Sequence, residues 1–81
     1  MVKIVKKDSF SKKYEVKNKL KEILDERGIK QNWLAEKVGI TPTTLGNLLH
    51  NRFNTSLEVA LKIAKFLDMK VEDIFELKEY K

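Results

Sequence analysis

Residues 31–50 read QNWLAEKVGITPTTLGNLLH. Leu34, Ala35 and Val38 recur at the spacing of one helix face, which predicts a short helix over about 31–38. Gly39 follows, a residue that takes positive φ without a steric penalty and so ends helices. Ile40 is expected to be buried in the turn. Thr41 carries the oxygen an N-cap needs, and Pro42 stands at the first helical position, where its missing N–H costs nothing. Leu45 and Leu48 then face inward, with Leu49 beside them, and Asn51 is suited to leaving the helix in the left-handed conformation. Ala35 is small where the two helices must cross, so the stretch reads as a helix, a glycine turn and a second helix.

Working outward, Leu20, Ile23 and Leu24 predict a helix over about 17–27, its face extended by Val16 and Arg27 and its end marked by Gly28. Ile29 then enters the core. Residues 50–54 form a polar connection containing Arg52 and Phe53. Thr55 and Glu58 have capping-box spacing and announce a fourth helix. Its apolar side is expected to hold Leu57, Ala60, Leu61, Ala64 and Leu67, widened by Ile63 and Phe66. Asp68-Met69-Lys70 breaks that pattern before a short helix at about 71–75, where Ile74 and Phe75 close the core. Before the first helix, Ile4, Phe10, Tyr14 and Val16 share even parity. Residues 1–16 are read either as one or two short strands with a turn at Asp8-Ser9, packed on the helices or on a second copy, or as a disordered arm. Leu77 and Tyr80 fall on an extended tail. The expected organisation is therefore a basic arm or short β segment over 1–16, a helical domain over 17–76 and a tail over 77–81.

The 81-residue chain carries 17 Lys and Arg against 12 Asp and Glu, a formal net charge of +5, and no cysteine. Disulfide, thiol and cysteine-based zinc chemistry are thereby excluded. No apolar run reaches the roughly 18–20 residues of a membrane helix, and the amino terminus lacks a signal-peptide pattern, so a cytoplasmic location is expected. The charge is uneven: the first 21 residues hold eight lysines against Asp8 and Glu15. Such an arm suits an anionic partner, or simply keeps the protein soluble. No Asp or Glu occurs between Glu36 and Glu58, as a surface facing phosphates requires. On the outer side of the second core helix lie Thr43, Thr44, Gly46, Asn47 and His50, none acidic and none bulky and apolar. That face suits a duplex major groove. The competing reading is an ordinary helical hairpin with a neutral exterior.

From NKLKEILDERGIKQNWLAEKVGI through SLEVALKIAKFLDMKVEDIF, residues 17–76 resemble the lambda/434 repressor and Cro helix-turn-helix family, also called the XRE family. The resemblance rests on Gln31, the Ala35/Gly39 turn, Leu45 and Leu48, and the closing helical segment. It implies an all-α, compact five-helix lambda-repressor-like fold and a sequence-specific double-stranded DNA-binding regulator of prokaryotic or phage type, expected to be a repressor acting as a homodimer. It implies base contacts from Thr43, Asn47 and Pro42. It also implies phosphate contacts from Gln31, Thr41, Thr44, Arg52, Asn54 and His50, with Gln31 bracing the recognition helix and Thr44 either reaching phosphate or bracing it. Asparagine can pair two hydrogen bonds with adenine, and threonine offers a hydroxyl or a methyl.

The departures are specific. Pro42 stands where relatives often have Arg or Gln, so it retains at most an apolar contact with a thymine methyl. Gly46 removes a donor while allowing close backbone approach. Leu49, His50 and Asn51 replace a common Glu-Asn-Gly. Fewer direct contacts shift specificity toward the basic arm and DNA shape. Trp33 reads as an exposed anchor or an edge-packed aromatic, and Phe53 as a shield of the core or a dimer contact, with Leu77 and Tyr80 serving the same interface. His50 stands alone and suits a helix-end role better than a metal site. Glu72, Asp73, Glu76 and Glu79 read as a solvated helix face. No nucleophile–base pair, phosphate loop or metal spacing appears, so neither catalysis nor a cofactor is expected. The alternative function is a protein-interaction module, such as an antitoxin or phage-type anti-regulator, that engages its partner through the N-terminal segment and Trp33.

Overall fold

A computed structural model describes residues 13–52 and 54–80. In chain order it contains β1 (Lys13–Asn18), α1 (Leu20–Arg27), α2 (Gln31–Val38), α3 (Pro42–Leu49), α4 (Leu57–Leu67), α5 (Val71–Ile74) and β2 (Phe75–Tyr80). All five expected helices are present. The two strands pair antiparallel, Lys13 opposite Tyr80 through Asn18 opposite Phe75, so the ends of the domain close on each other. The expected β segment is thus seen at Tyr14 and Val16, with the C-terminal strand as its described partner. Ile4, Phe10 and the Asp8-Ser9 turn lie outside the described residues, as does Phe53.

The helices meet in one apolar core. Leu20, Leu34, Ala35, Leu45 and Ile63 have no exposed surface, and Val38, Leu48, Leu67 and Ile74 are almost as deeply buried. α2 packs against both α3 and α4, and its Ala35 is fully buried. Three helices stop by one local device. Gly28, Gly39 and Asp68 take left-handed φ values of 66°, 81° and 55°. The next N–H in each case, that of Ile29, Ile40 or Met69, donates back to the carbonyl of Leu24, Ala35 or Ala64. These three apolar side chains then fold onto the core, partly buried, as the termination motif favours. Ile40 is therefore packed against the core without being fully buried.

Four expectations require correction. The first helix begins at Leu20, because Lys17 and Asn18 finish β1 and Val16 belongs to the sheet. The cap of α4 is Ser56, whose Oγ accepts the Val59 N–H at 3.2 Å, in place of a Thr55/Glu58 box. Glu58 instead forms an ion pair with Lys62 at 2.9 Å, and that ammonium's hydrogen bond and charge hold its carboxyl below the ordinary value. Only Ala60, Ile63, Ala64 and Leu67 of α4 are buried. Leu57 is 71% exposed and Leu61 52%, and Phe66 also faces out, so the apolar stripe is narrower than composition suggests. Finally, Phe75 opens β2 in place of closing α5, and Glu76 and Glu79 lie on that strand rather than on a helix face.

Candidate nucleic-acid interface

α3 is started by its own side chains. The Thr41 Oγ1 accepts the Thr44 N–H at 3.1 Å and donates to the Thr44 Oγ1 at 2.9 Å. Pro42 follows at the first helical position. Buried Leu45, Leu48 and Leu49 hold the helix from beneath. Its opposite side is open: Pro42, Thr43 and His50 are exposed, and Thr44, Gly46 and Asn47 half-buried.

An open concavity on this side is lined by Gln31, Pro42, Thr43, Gly46, Asn47, His50 and Arg52. The fold thereby collects all three expected base-reading residues and three of the expected phosphate contacts. No carboxylate lines the surface. Thr41 and Thr44 border it through the cap, their hydroxyls already joined. Asn54 is not brought in. It is exposed beside a separate apolar groove formed with Val16, Leu57, Val71 and Phe75.

Two internal bonds order the concavity. The Gln31 Nε2 donates to the Pro42 carbonyl at 3.2 Å, linking the start of α2 to the start of α3. Arg52 Nη1 donates to Asn47 Oδ1 at 2.9 Å. Gly46 has a role that composition did not disclose. A Cβ at this position would stand 3.0 Å from Gln31 Nε2, so the glycine makes room for the bracing amide.

The exit from α3 is tied to the sheet. Asn51 takes φ 57°, as its residue type led us to expect. Its Oδ1 accepts the Asn18 N–H at 2.9 Å, and Asn18 Nδ2 donates to the Leu48 carbonyl at 2.8 Å. Asn18 Oδ1 also accepts the first N–H of the next helix, that of Leu20, at 3.0 Å. Sequence reading missed Asn18, whose partner lies 33 residues away and leaves no periodic trace.

Residues 19–79 match the sequence pattern of the Cro/C1-type HTH DNA-binding domain. The chain belongs to this helix-turn-helix family. An HTH-type transcriptional regulator of Bacillus subtilis strain 168, YgzD, is 42% identical over 64 residues, spanning 79% of this chain and 97% of its own. The solved structure of the transcriptional regulator VanUg superimposes with a TM-score of 0.68 at 32% identity, covering 83% of this chain and 89% of its own. The antitoxin HipB of Escherichia coli O6:H1 is 35% identical over 66 residues, 78% of this chain and 70% of its own. Outside the concavity, this Cro/C1-type domain exposes Trp33, with the Lys37 ammonium 5.7 Å from its ring centroid. Among the described residues no group of three His, Asp or Glu side chains is arranged to hold a metal ion. No described helix is long and apolar enough to cross a membrane.

Proposed function

We propose that this regulator binds a specific near-palindromic duplex site as a homodimer and represses transcription by occupying it. α3 enters the major groove, and two copies place their helices in successive turns about 34 Å apart. The observation that carries this reading is the concavity of Gln31, Pro42, Thr43, Gly46, Asn47, His50 and Arg52, polar or cationic throughout apart from Pro42 and Gly46. Thr43, Asn47 and Pro42 read base edges. Gln31, Arg52 and His50 contact phosphate, with Thr41 and Thr44 at the helix start; Asn54 reaches the same strand only if the duplex extends beyond the concavity. Phosphate contacts fix the register, and base contacts select the sequence. A single small module buries limited DNA surface, which favours two-fold binding.

Selection of bound duplexes from a random pool, repeated across salt concentrations, tests this reading. The expected result is an enriched inverted repeat with half-sites one helical turn apart. Thr43→Ala should weaken preference for that repeat more than it weakens binding to random duplex. Arg52→Ala should weaken both and lower the logarithmic salt slope by about one. Recovery of unenriched sequence with unchanged slopes would remove this surface from consideration.

The similarity to HipB favours one second reading, that the chain works as an antitoxin-like partner of another protein while retaining DNA binding. Exposed Trp33 beside Gly28, Ile29 and Lys30 offers an apolar anchor for such a partner. A Trp33→Ala variant that binds duplex like the parent but loses a co-purifying protein encoded beside it would support this second role.

A further inference from the structure

The bond between Arg52 and Asn47 sets the chemistry that Asn47 can present. An asparagine amide has one acceptor and two donor hydrogens, and its two ends differ only by a flip. Arginine has donors alone, so its partner at 2.9 Å must be the amide oxygen. The Nδ2 group therefore forms the other end of a half-buried amide in the concavity shared with Thr43 and His50. A cationic donor also draws on the oxygen's lone pairs, weakening it as an acceptor for anything else. Pairing with adenine needs that oxygen for the N6 donor, whereas guanine presents two acceptors, N7 and O6, in the major groove.

We propose that Arg52 is a positioning residue that makes Asn47 a donor toward DNA and so turns its preference from adenine to guanine. This rests on Asn47 facing a base edge. Cytosine, which presents its N4 donor, is disfavoured at the same position. Arg52 then has two consequences, a general one through its charge and a base-specific one through the amide it holds.

The test uses the full chain and duplexes in which the half-site position altered by Asn47→Ala is replaced by each of the four bases. Binding is read by fluorescence anisotropy at fixed salt. The parent should prefer guanine over adenine, and Arg52→Ala should shift that ratio toward adenine by about tenfold, within the span of one bidentate contact. Arg52→Lys, whose ammonium can donate to the same oxygen, should retain the guanine preference. Asn47→Asp keeps an acceptor for Arg52 but replaces the outward donor by an acceptor, and should move the preference to cytosine. Equal weakening of all four duplexes by Arg52→Ala would overturn the proposal and leave Arg52 a plain phosphate contact. If Asn47→Ala changes preference at no position, the placement of α3 against base edges fails as well. Both side chains lie at the surface, and the circular dichroism melt of each variant should match the parent.

Discussion

Single residues in this chain answer to neighbours far away in sequence. Gly46 is a helix-interior glycine, which ordinarily lowers helix stability by up to about 1 kcal/mol relative to alanine. The Gln31 amide occupies the space a methyl would need. Gly46→Ala should therefore leave the thermal midpoint unchanged or slightly raised, since only a flexible amide is displaced. Duplex affinity should fall several-fold as the Gln31–Pro42 link opens, measured by anisotropy beside the melt. Asn51 joins two roles that substitutions can separate. Asn51→Gly keeps the left-handed backbone but loses the bonds to Asn18, an expected loss of about 1–2 kcal/mol in urea unfolding. Asn51→Ala should lose roughly 1 kcal/mol more, because alanine is strained at φ 57°. Equal effects of the two would mean that backbone strain has no part at this site.

Among the elements, α4 shows how a cap is misread when several polar residues crowd a helix start. Asn54, Thr55 and Ser56 all precede Leu57, and Thr55 has the capping-box spacing to Glu58. The fold selects Ser56, which leaves Glu58 to Lys62. Ser56→Ala should destabilise by about 1 kcal/mol in urea unfolding, and Thr55→Ala by much less. The reverse order would restore the box. Lys62→Ala should return the Glu58 carboxyl toward its ordinary value, visible as a side-chain resonance midpoint at higher pH in an acid titration. The effect on stability is small because both groups are largely exposed, and it acts only at higher pH, vanishing as Glu58 protonates. α5 is a single turn. It persists because Ile74 is 1% exposed in the core and its carbonyl accepts the Lys19 N–H at 2.9 Å.

At the level of the whole molecule, the two-stranded sheet joins Lys13–Asn18 to Phe75–Tyr80 and connects through Asn18 to the exit of α3. One face of the sheet carries Tyr14, Val16, Phe75 and Leu77, and Tyr14 and Leu77 are exposed. An isolated strand pair is marginal in water, so β1 depends on β2 and on the helices beneath it. A chain ending at Ile74 should lose amide-exchange protection across Lys13–Asn18 and unfold at lower urea. Duplex affinity should fall too, since the C-terminal tie of α3 runs through Asn18. Retained protection in β1 would show that the helices alone hold it.

What the amino-acid sequence determined unaided was the helix-turn-helix at its centre. The bounds of α2 and the start of α3 follow from glycine, threonine, proline and leucine acting on neighbours within one turn, so the signals survive without any knowledge of the rest of the chain. The same holds for the acid-free outer face of α3, since its members are at helical spacing. Tertiary structure alone decided the pairing of β1 with β2, the Asn18–Asn51 tie, the room Gly46 leaves for Gln31, and which leucines of α4 stay outside. These depend on which surfaces meet once the helices pack. Bonds between groups distant in the chain, and the edge of a core, have no period by which a linear pattern can reveal them.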